Sequence, residues 1–303
     1  MTTSGVKTGG LLVLGASGML GHALMHELTE SLPSTTVTGT VRSGAGLPDL
    51  FLSRFAPRLL HDVDVSDFDS VATVIADRRP EVVVNAVGVI KQAPGVDDTI
   101  LTAQVNALLP HLLARECSAV GARLVQVSTD CVFSGRTGKY TEEDVPDPLD
   151  FYGRSKLLGE VFAPHVTLRT SIIGPELRHG GSLLEWFLSQ DGNEIKGYAR
   201  AIYSGLPTLE LARVIASVVL PRPELAGLWH VASQPIAKFN LLELLAEAYG
   251  WDGRIIPDDD AIVCDRSLSA ARFEEATGYV APHWPTMVRD MHAAHERWTS
   301  ARR

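Results

Sequence analysis

The sequence predicts an α/β protein: a doubly wound parallel sheet followed by a smaller C-terminal part. Three observations predict it. A short apolar run, Leu11, Leu12, Val13 and Leu14, passes through a glycine turn straight into an amphipathic helix. Further apolar runs at residues 82–84 and 124–127 have the unbroken hydrophobicity of strands buried on both faces. Between such runs lie segments with helical spacing, such as Phe68, Val71 and Ile75.

The first strand and helix organise the rest. Gly15, Gly18 and Gly21 recur at every third position, and Leu20, Ala23, Leu24 and Leu28 then share one helix face. Strand, glycine turn and helix is the context that a dinucleotide fingerprint needs. Gly15 allows the tight turn, Gly18 lets the backbone approach a pyrophosphate, and Gly21 lets helix and strand pack closely. The N–H groups at the helix start, with the helix dipole, favour an anion there. Ser17, Met19 and Leu20 are the other candidate cofactor contacts of this turn. The plain alternative is a glycine-rich turn with no ligand. The helix ends near Ser31. His22 and His26 lie four apart on it, but no third ligand is suggested nearby. They read as polar residues on a solvent or interface face, and no metal is expected.

Residues 36–41 are β-branched and alternating, and form the second strand. A site that prefers NAD carries an acid shortly after it, on the ribose 2′-hydroxyl. No Asp or Glu occurs between Ser31 and Pro48. Arg42 and Ser43 stand there instead, and a guanidinium suits a 2′-phosphate. The expected cofactor is therefore NADP(H); the alternative is a solvated surface arginine. Residues 44–58 read as a loop. Asp64 and Val65 close the third strand beneath the adenine, and Ser66 caps the next helix. Asp64 is otherwise a plain turn residue. Residues 82–84 form the fourth strand. Asn85, Ala86, Val87 and Gly88 follow at its carboxyl end, where small residues admit a cofactor backbone. Residues 97–119 form a long helix kinked at Pro110. Asn106 within it either braces the active site or is a satisfied core group.

The fifth strand, residues 124–127, runs into Ser128, Thr129, Asp130 and Cys131. Hydroxyls at the end of a central strand point into the same crevice. Tyr152 and Lys156 follow in Tyr-Gly-Arg-Ser-Lys and share one helix face. An ammonium beside a phenol favours phenolate and lowers the tyrosine's pKa toward working pH. The tyrosine can then exchange a proton with a carbonyl or alcohol while a nicotinamide exchanges a hydride.

These residues carry a resemblance. GASGMLG at 15–21, NAVG at 85–88, STDCVFSG at 128–135, YGRSK at 152–156 and LRTSIIG at 168–174 resemble the extended short-chain dehydrogenase/reductases. Within them the chain looks most like the dTDP-4-dehydrorhamnose reductase group of sugar-nucleotide ketoreductases, over nearly its whole length. Two segments depart from that group: Cys131 stands where its tyrosine follows Ser-Thr-Asp, and VGVIKQ follows Asn85. The resemblance implies a Rossmann-like fold, with an NADP-binding domain at 1–165 and a substrate-binding part at 166–303, some of whose segments return to the main domain. It implies Tyr152 as proton donor, Lys156 on the nicotinamide ribose and Thr129 on the substrate carbonyl, with Ser128 beside them. Arg266 is the natural diphosphate partner, or else half of a structural ion pair. Lys91 meets a phosphate or substrate, or is a surface lysine. The implied activity is NADPH-dependent reduction of a keto group, C4 first, on a nucleotide-activated deoxysugar. The rivals are a sugar-nucleotide dehydratase or epimerase, and a non-catalytic NADP-binding regulatory subunit. The beta subunit of methionine adenosyltransferase resembles the same group.

In the last third, residues 166–170 form the sixth strand and 182–189 a helix. Residues 204–208 read as a loop before a helix at 209–219, and 228–232 as a strand returning to the main domain. Residues 240–249 open with a capping-box-like Asn-Leu-Leu-Glu, and 284–298 form a docked amphipathic helix. Composition bounds the partners. The 303 residues are 45% hydrophobic and 21% charged, as in a soluble globular protein, with a net charge of −9. Nucleic acid would need a basic patch. A membrane span would need an apolar run of roughly 18 residues, and none approaches it. The three cysteines are widely spaced, which suits a reducing cytoplasm. The expected partner is a small nucleotide sugar; a homodimer is compatible with this reading.

Overall fold

The computed structural model describes residues 9–90, 98–178 and 181–300. Six strands come first: β1 (Leu11–Leu14), β2 (Val37–Thr40), β3 (Leu59–Leu60), β4 (Val82–Asn85), β5 (Arg123–Thr129) and β6 (Val166–Thr170). A later strand, Gly227–His230, completes one sheet in the spatial order Gly227–His230, β6, β5, β4, β1, β2, β3. Every pairing in it is parallel. The order reverses between β1 and β4, which opens a crevice at their carboxyl ends.

The helices are α1 (Met19–Ser31), α2 (Asp49–Phe55), α3 (Phe68–Arg78), α4 (Thr99–Ala103), α5 (Leu109–Val120), α6 (Phe151–Leu158), α7 (Leu183–Ser189), α8 (Thr208–Val214), α9 (Lys238–Tyr249), α10 (Ala271–Thr277) and α11 (Trp284–Thr299). They cover both faces of the sheet. Successive residues of β1 face opposite ways. Leu11 and Val13 join a core with Leu24 of α1, Leu211 of α8 and Met291 of α11. Leu12 and Leu14 join another with Val71 and Ile75 of α3 and Leu113 of α5. The C-terminal part adds three small sheets, among them Glu194–Tyr198 paired with Arg254–Asp258.

The chain departs from its sequence pattern at several places. Within 44–58, α2 forms because Phe51 and Phe55, four apart, are both buried. The third strand stops at Leu60, since Asp62 at φ 61° turns the chain away. Asp64 and Val65 therefore lie in the loop beyond it, and Asp67 rather than Ser66 caps α3, accepting from the Asp69 N–H at 3.2 Å. The long helix is interrupted one turn earlier than expected, by a π-turn at Gln104–Leu108 between α4 and α5. Pro110 explains it: proline has no N–H and its ring clashes with the carbonyl four residues back, here that of Asn106. Finally, α9 starts at Lys238, so Asn240 lies inside its first turn and bonds Glu243 at 3.2 Å instead of capping.

Candidate active site

The glycine turn forms one wall of the crevice. Gly15 has φ 77°, and a Cβ there would lie 2.7 Å from Cγ2 of Val87. A Cβ on Gly21 would lie 1.9 Å from the Gly15 carbonyl oxygen. At both positions a side chain would force the neighbouring atoms to shift. Gly18 is exposed, and no side chain caps α1. The first N–H groups of α1 thus have no side-chain acceptor among the described residues. Ser17 and Met19 are half-buried on the rim of the crevice, with Leu20 buried behind them.

The opposite wall is the turn after β4. The Asn85 amide donates to Oε1 of Gln126 at 2.8 Å, and its oxygen accepts from the Val87 N–H at 3.1 Å. Ala86 and Val87 are half-buried and Gly88 is exposed. A Cβ on Gly88 would come within 3.7 Å of Nζ of Lys156, so this turn reaches the Tyr-Lys helix. Asn106, placed in the π-turn, holds the junction. It accepts from the Val89 N–H at 2.9 Å, donates to the Val89 carbonyl at 2.9 Å, and donates to Oγ of Ser155 at 3.2 Å. It is both a satisfied group and a brace.

Helix α6 is capped by Asp150, which accepts from the Gly153 N–H at 2.8 Å. Gly153 allows a close approach: a Cβ there would lie 2.3 Å from the Cys131 carbonyl oxygen. The helix therefore lies against the end of β5 and brings Tyr152 into a hydrogen bond with Thr129. Burial, Cys131 and Asp130 hold the Tyr152 phenol above the ordinary tyrosine range, and the Thr129 bond only partly opposes them. This reverses the expected lowering. Lys156 is buried and spends a proton on the Val127 carbonyl at 2.7 Å. Burial pulls its ammonium down to about 8, with the Glu160 charge opposing. Thr129 accepts from the Cys131 N–H at 3.1 Å and donates to Oδ1 of Asp130 at 3.2 Å. The Asp130 carboxyl is raised by burial, against the pull of Arg266.

The remaining candidates are spread around this centre. Ser128 is turned away from the crevice chemistry: its hydroxyl donates to Oε1 of Glu160 at 2.7 Å. Arg42 and Ser43 are exposed after β2. Val65 is half-buried; Asp64 accepts from the Ser66 N–H at 2.9 Å and hydroxyl at 2.7 Å. Those bonds, and Arg42 more weakly, hold its carboxyl below the usual carboxylate range. Arg266 is half-buried, its Nε on the Phe133 carbonyl at 3.0 Å. Lys91 lies outside the described residues. His22 and His26 pack edge-on and stacked, respectively, against Trp298 of α11, an interface within the chain. Among the described residues no three His, Cys, Asp or Glu side chains gather as metal ligands. Sequence reasoning missed Glu160. Its only signal is spacing, since Tyr152, Lys156 and Glu160 recur every fourth residue.

A family model described as the RmlD substrate binding domain matches residues 9–295. The chain belongs to that family. Among its curated relatives is methionine adenosyltransferase 2 subunit beta of Mus musculus, 34% identical over 152 residues. That match covers 50% of this chain and 41% of the mouse protein, so it spans well under half of that relative. A dTDP-4-dehydrorhamnose reductase of Streptomyces griseus is 37% identical over 150 residues, 49% of this chain and 43% of the relative. The fold of the RmlD-family chain is also that of solved structures. The dTDP-4-dehydrorhamnose reductase of Bacillus anthracis, crystallised in complex with NADP, superposes with a TM-score of 0.77 at 20% identity, covering 95% of this chain and 99% of the other. No helix among the described residues is long and apolar enough to cross a membrane.

Proposed function

We propose that the protein reduces a keto group, at C4, on a nucleotide-activated deoxysugar, using NADPH. The observation that carries this reading is the convergence of Tyr152, Thr129 and Lys156 beside the glycine cradle, at the carboxyl end of β5. The names of the Streptomyces and Bacillus relatives support the same chemistry.

Bound NADPH would supply the hydride to the carbonyl carbon. Tyr152 gives its phenolic proton to the carbonyl oxygen, and Thr129 hydrogen-bonds that oxygen. A phenol is neutral at working pH and so carries the proton that this step transfers. Lys156 binds the nicotinamide ribose and steadies the phenolate left behind. Gly15, Ser17, Gly18, Met19, Leu20 and Gly21 hold the pyrophosphate. Arg42, Ser43, Asp64 and Val65 surround the adenosine, and Asn85, Ala86, Val87, Gly88 and the Ser128 backbone line the nicotinamide side. Residues 166–303, apart from the segments that rejoin the sheet, bind the sugar nucleotide. Arg266 takes its diphosphate, and Lys91 meets a phosphate or the sugar. The protein works in the cytoplasm.

The test is a screen of nucleotide-4-ketosugars with NADPH, following cofactor absorbance and product mass. Reduction of one of them with loss of NADPH absorbance is the expected result. Tight NADPH binding with no turnover of any ketosugar would instead favour a regulatory subunit.

A further inference from the structure

The turn after β2 gathers more positive charge than the sequence around it contains. Arg42 leaves the strand there, exposed. A Cβ on Gly44 would lie 3.3 Å from Nδ1 of His61, so that ring stands against the turn. Arg178 arrives from the far half of the chain, beyond the short strand Ile172–Ile173. Its Nη2 donates to the Ser43 carbonyl at 3.3 Å and to the Ala45 carbonyl. A Cβ on Gly46 would lie 3.8 Å from its Nε. The acid beside Arg42, Asp64, already accepts two bonds from Ser66.

An exposed guanidinium resting on main-chain carbonyls has made its weaker bonds. Its bonds to a phosphate would be charge-assisted at both ends and bidentate. The end of the second strand of a doubly wound sheet is where the adenosine ribose lies. Resting on the dinucleotide reading above, we propose that Arg178 is a second partner of the cofactor's 2′-phosphate, reaching it from the C-terminal half of the chain. On binding, it trades the Ser43 and Ala45 carbonyls for phosphate oxygens. Arg42 and Arg178 then grip the phosphate from two sides, and the cofactor ties the C-terminal half to the glycine-turn domain. Discrimination between NADPH and NADH becomes a property of both halves.

The experiment needs binding and no turnover. NADPH and NADH are titrated separately against the quenching of the five tryptophans, in the parent, Arg42→Ala, Arg178→Ala and Arg178→Lys. Arg178→Ala is expected to weaken NADPH about tenfold, leave NADH within about twofold, and flatten the salt dependence of NADPH binding. Arg178→Lys keeps the charge and loses the fork, so it should fall between. Equal weakening of both cofactors would make Arg178 a structural latch and overturn the proposal. So would no change in Arg178→Ala while Arg42→Ala loses NADPH, which leaves the cofactor reading standing. A parent that binds NADPH no better than NADH would overturn both together.

Discussion

Arg169 takes both oxygens of Glu160, Nε to Oε1 at 2.7 Å and Nη2 to Oε2 at 2.8 Å, with each side chain only 3% exposed. Glu160 lies four residues beyond Lys156, past the end of α6, and Ser128 joins the pair from β5. Arg169 also sits over the Phe133 ring at 5.2 Å and reaches Nε2 of His230 at 3.3 Å. His230 is held at about 3 by burial, so it stays neutral and can accept that bond. Removing one member of a buried pair strands the other's charge. Glu160→Gln should therefore cost about 3–5 kcal/mol of stability, read as the shift of the urea midpoint. The paired change Glu160→Met with Arg169→Met should recover most of it, because apolar groups of similar volume replace such pairs at little cost. A Glu160→Gln protein as stable as the parent would mean that the pair contributes nothing.

Gly21 and Gly18 should respond differently to the same methyl group. At Gly21 the new Cβ meets backbone at 1.9 Å, so α1 must lift from the turn. Gly21→Ala should destabilise by about 1–3 kcal/mol, as overpacking does. At Gly18 the nearest atom is 3.3 Å away and φ is an ordinary −77°. Gly18→Ala should fold with near-parent stability but bind NADPH more weakly, since the methyl group stands where the pyrophosphate backbone must pass. Thermal melts with and without NADPH separate the two effects. An NADPH-induced stabilisation undiminished in Gly18→Ala would move the pyrophosphate away from this turn.

Much of this was legible because it is local. Leu11–Leu14, the glycines and α1 are contiguous, so one stretch encodes strand, turn and helix. Tyr152 and Lys156 share a face by spacing alone. What the sequence hides is contact at a distance. Arg178 meets Ala45 from 133 residues away, and no local pattern announces it. Residues 44–58 contain Gly44, Gly46 and Pro48, which mask the short helix that Phe51 and Phe55 nucleate from the core side. The environment of the Tyr152 phenol is hidden for a related reason. Spacing reveals that a lysine is near, but it does not reveal how much water burial removes.

The packing of α11 on α1 should be acid-sensitive. His26 stacks on Trp298 with ring centroids 4.7 Å apart, and its Nδ1 is buried with no hydrogen-bond partner among the described residues. Burial lowers His22 from 6.5 to about 4 and His26 to about 2. Below about pH 6.5 the unfolded chain therefore binds protons that the folded chain refuses, and stability falls as pH falls from there. His26→Phe keeps an aromatic ring and removes one such group. Relative to the parent it should gain roughly 1 kcal/mol per pH unit between about pH 6 and pH 4. Parallel stability curves for the two proteins would show that His26 titrates normally in the folded state.

Tyr152→Phe keeps the aromatic ring and removes the hydroxyl. NADPH should still bind, while turnover of the ketosugar falls at least about a hundredfold, the low end for general acid catalysis. In the parent, turnover should decline as pH rises through about 8, where Lys156 loses its proton. Protonated lysine is present below that value and neutral lysine above it, so the loss lies on the alkaline side. Near-parent turnover in Tyr152→Phe would pass the donor's role to Thr129 or a water.

On the proposed reading, reaction class turns on which acid and base stand beside Thr129. A dehydratase must oxidise C4, eliminate water across C5 and C6, and return the hydride to C6. The elimination needs an acid for the leaving hydroxyl and a base for the C5 proton. Asp130 is adjacent, and burial favours its protonated form, so it could serve as the acid. The next position is Cys131, and a thiol ordinarily titrates about four units above a carboxylate, which makes it a poor base at neutral pH. A reductase needs neither group, because Tyr152 supplies one proton and bound NADPH one hydride. NADPH consumed should therefore match product formed one to one, with a gain of two hydrogens in the mass of the sugar. The measurement is cofactor absorbance against product mass in the same reaction. Loss of water from a nucleotide-hexose with no net change in cofactor would sink the reductase reading and favour a dehydratase.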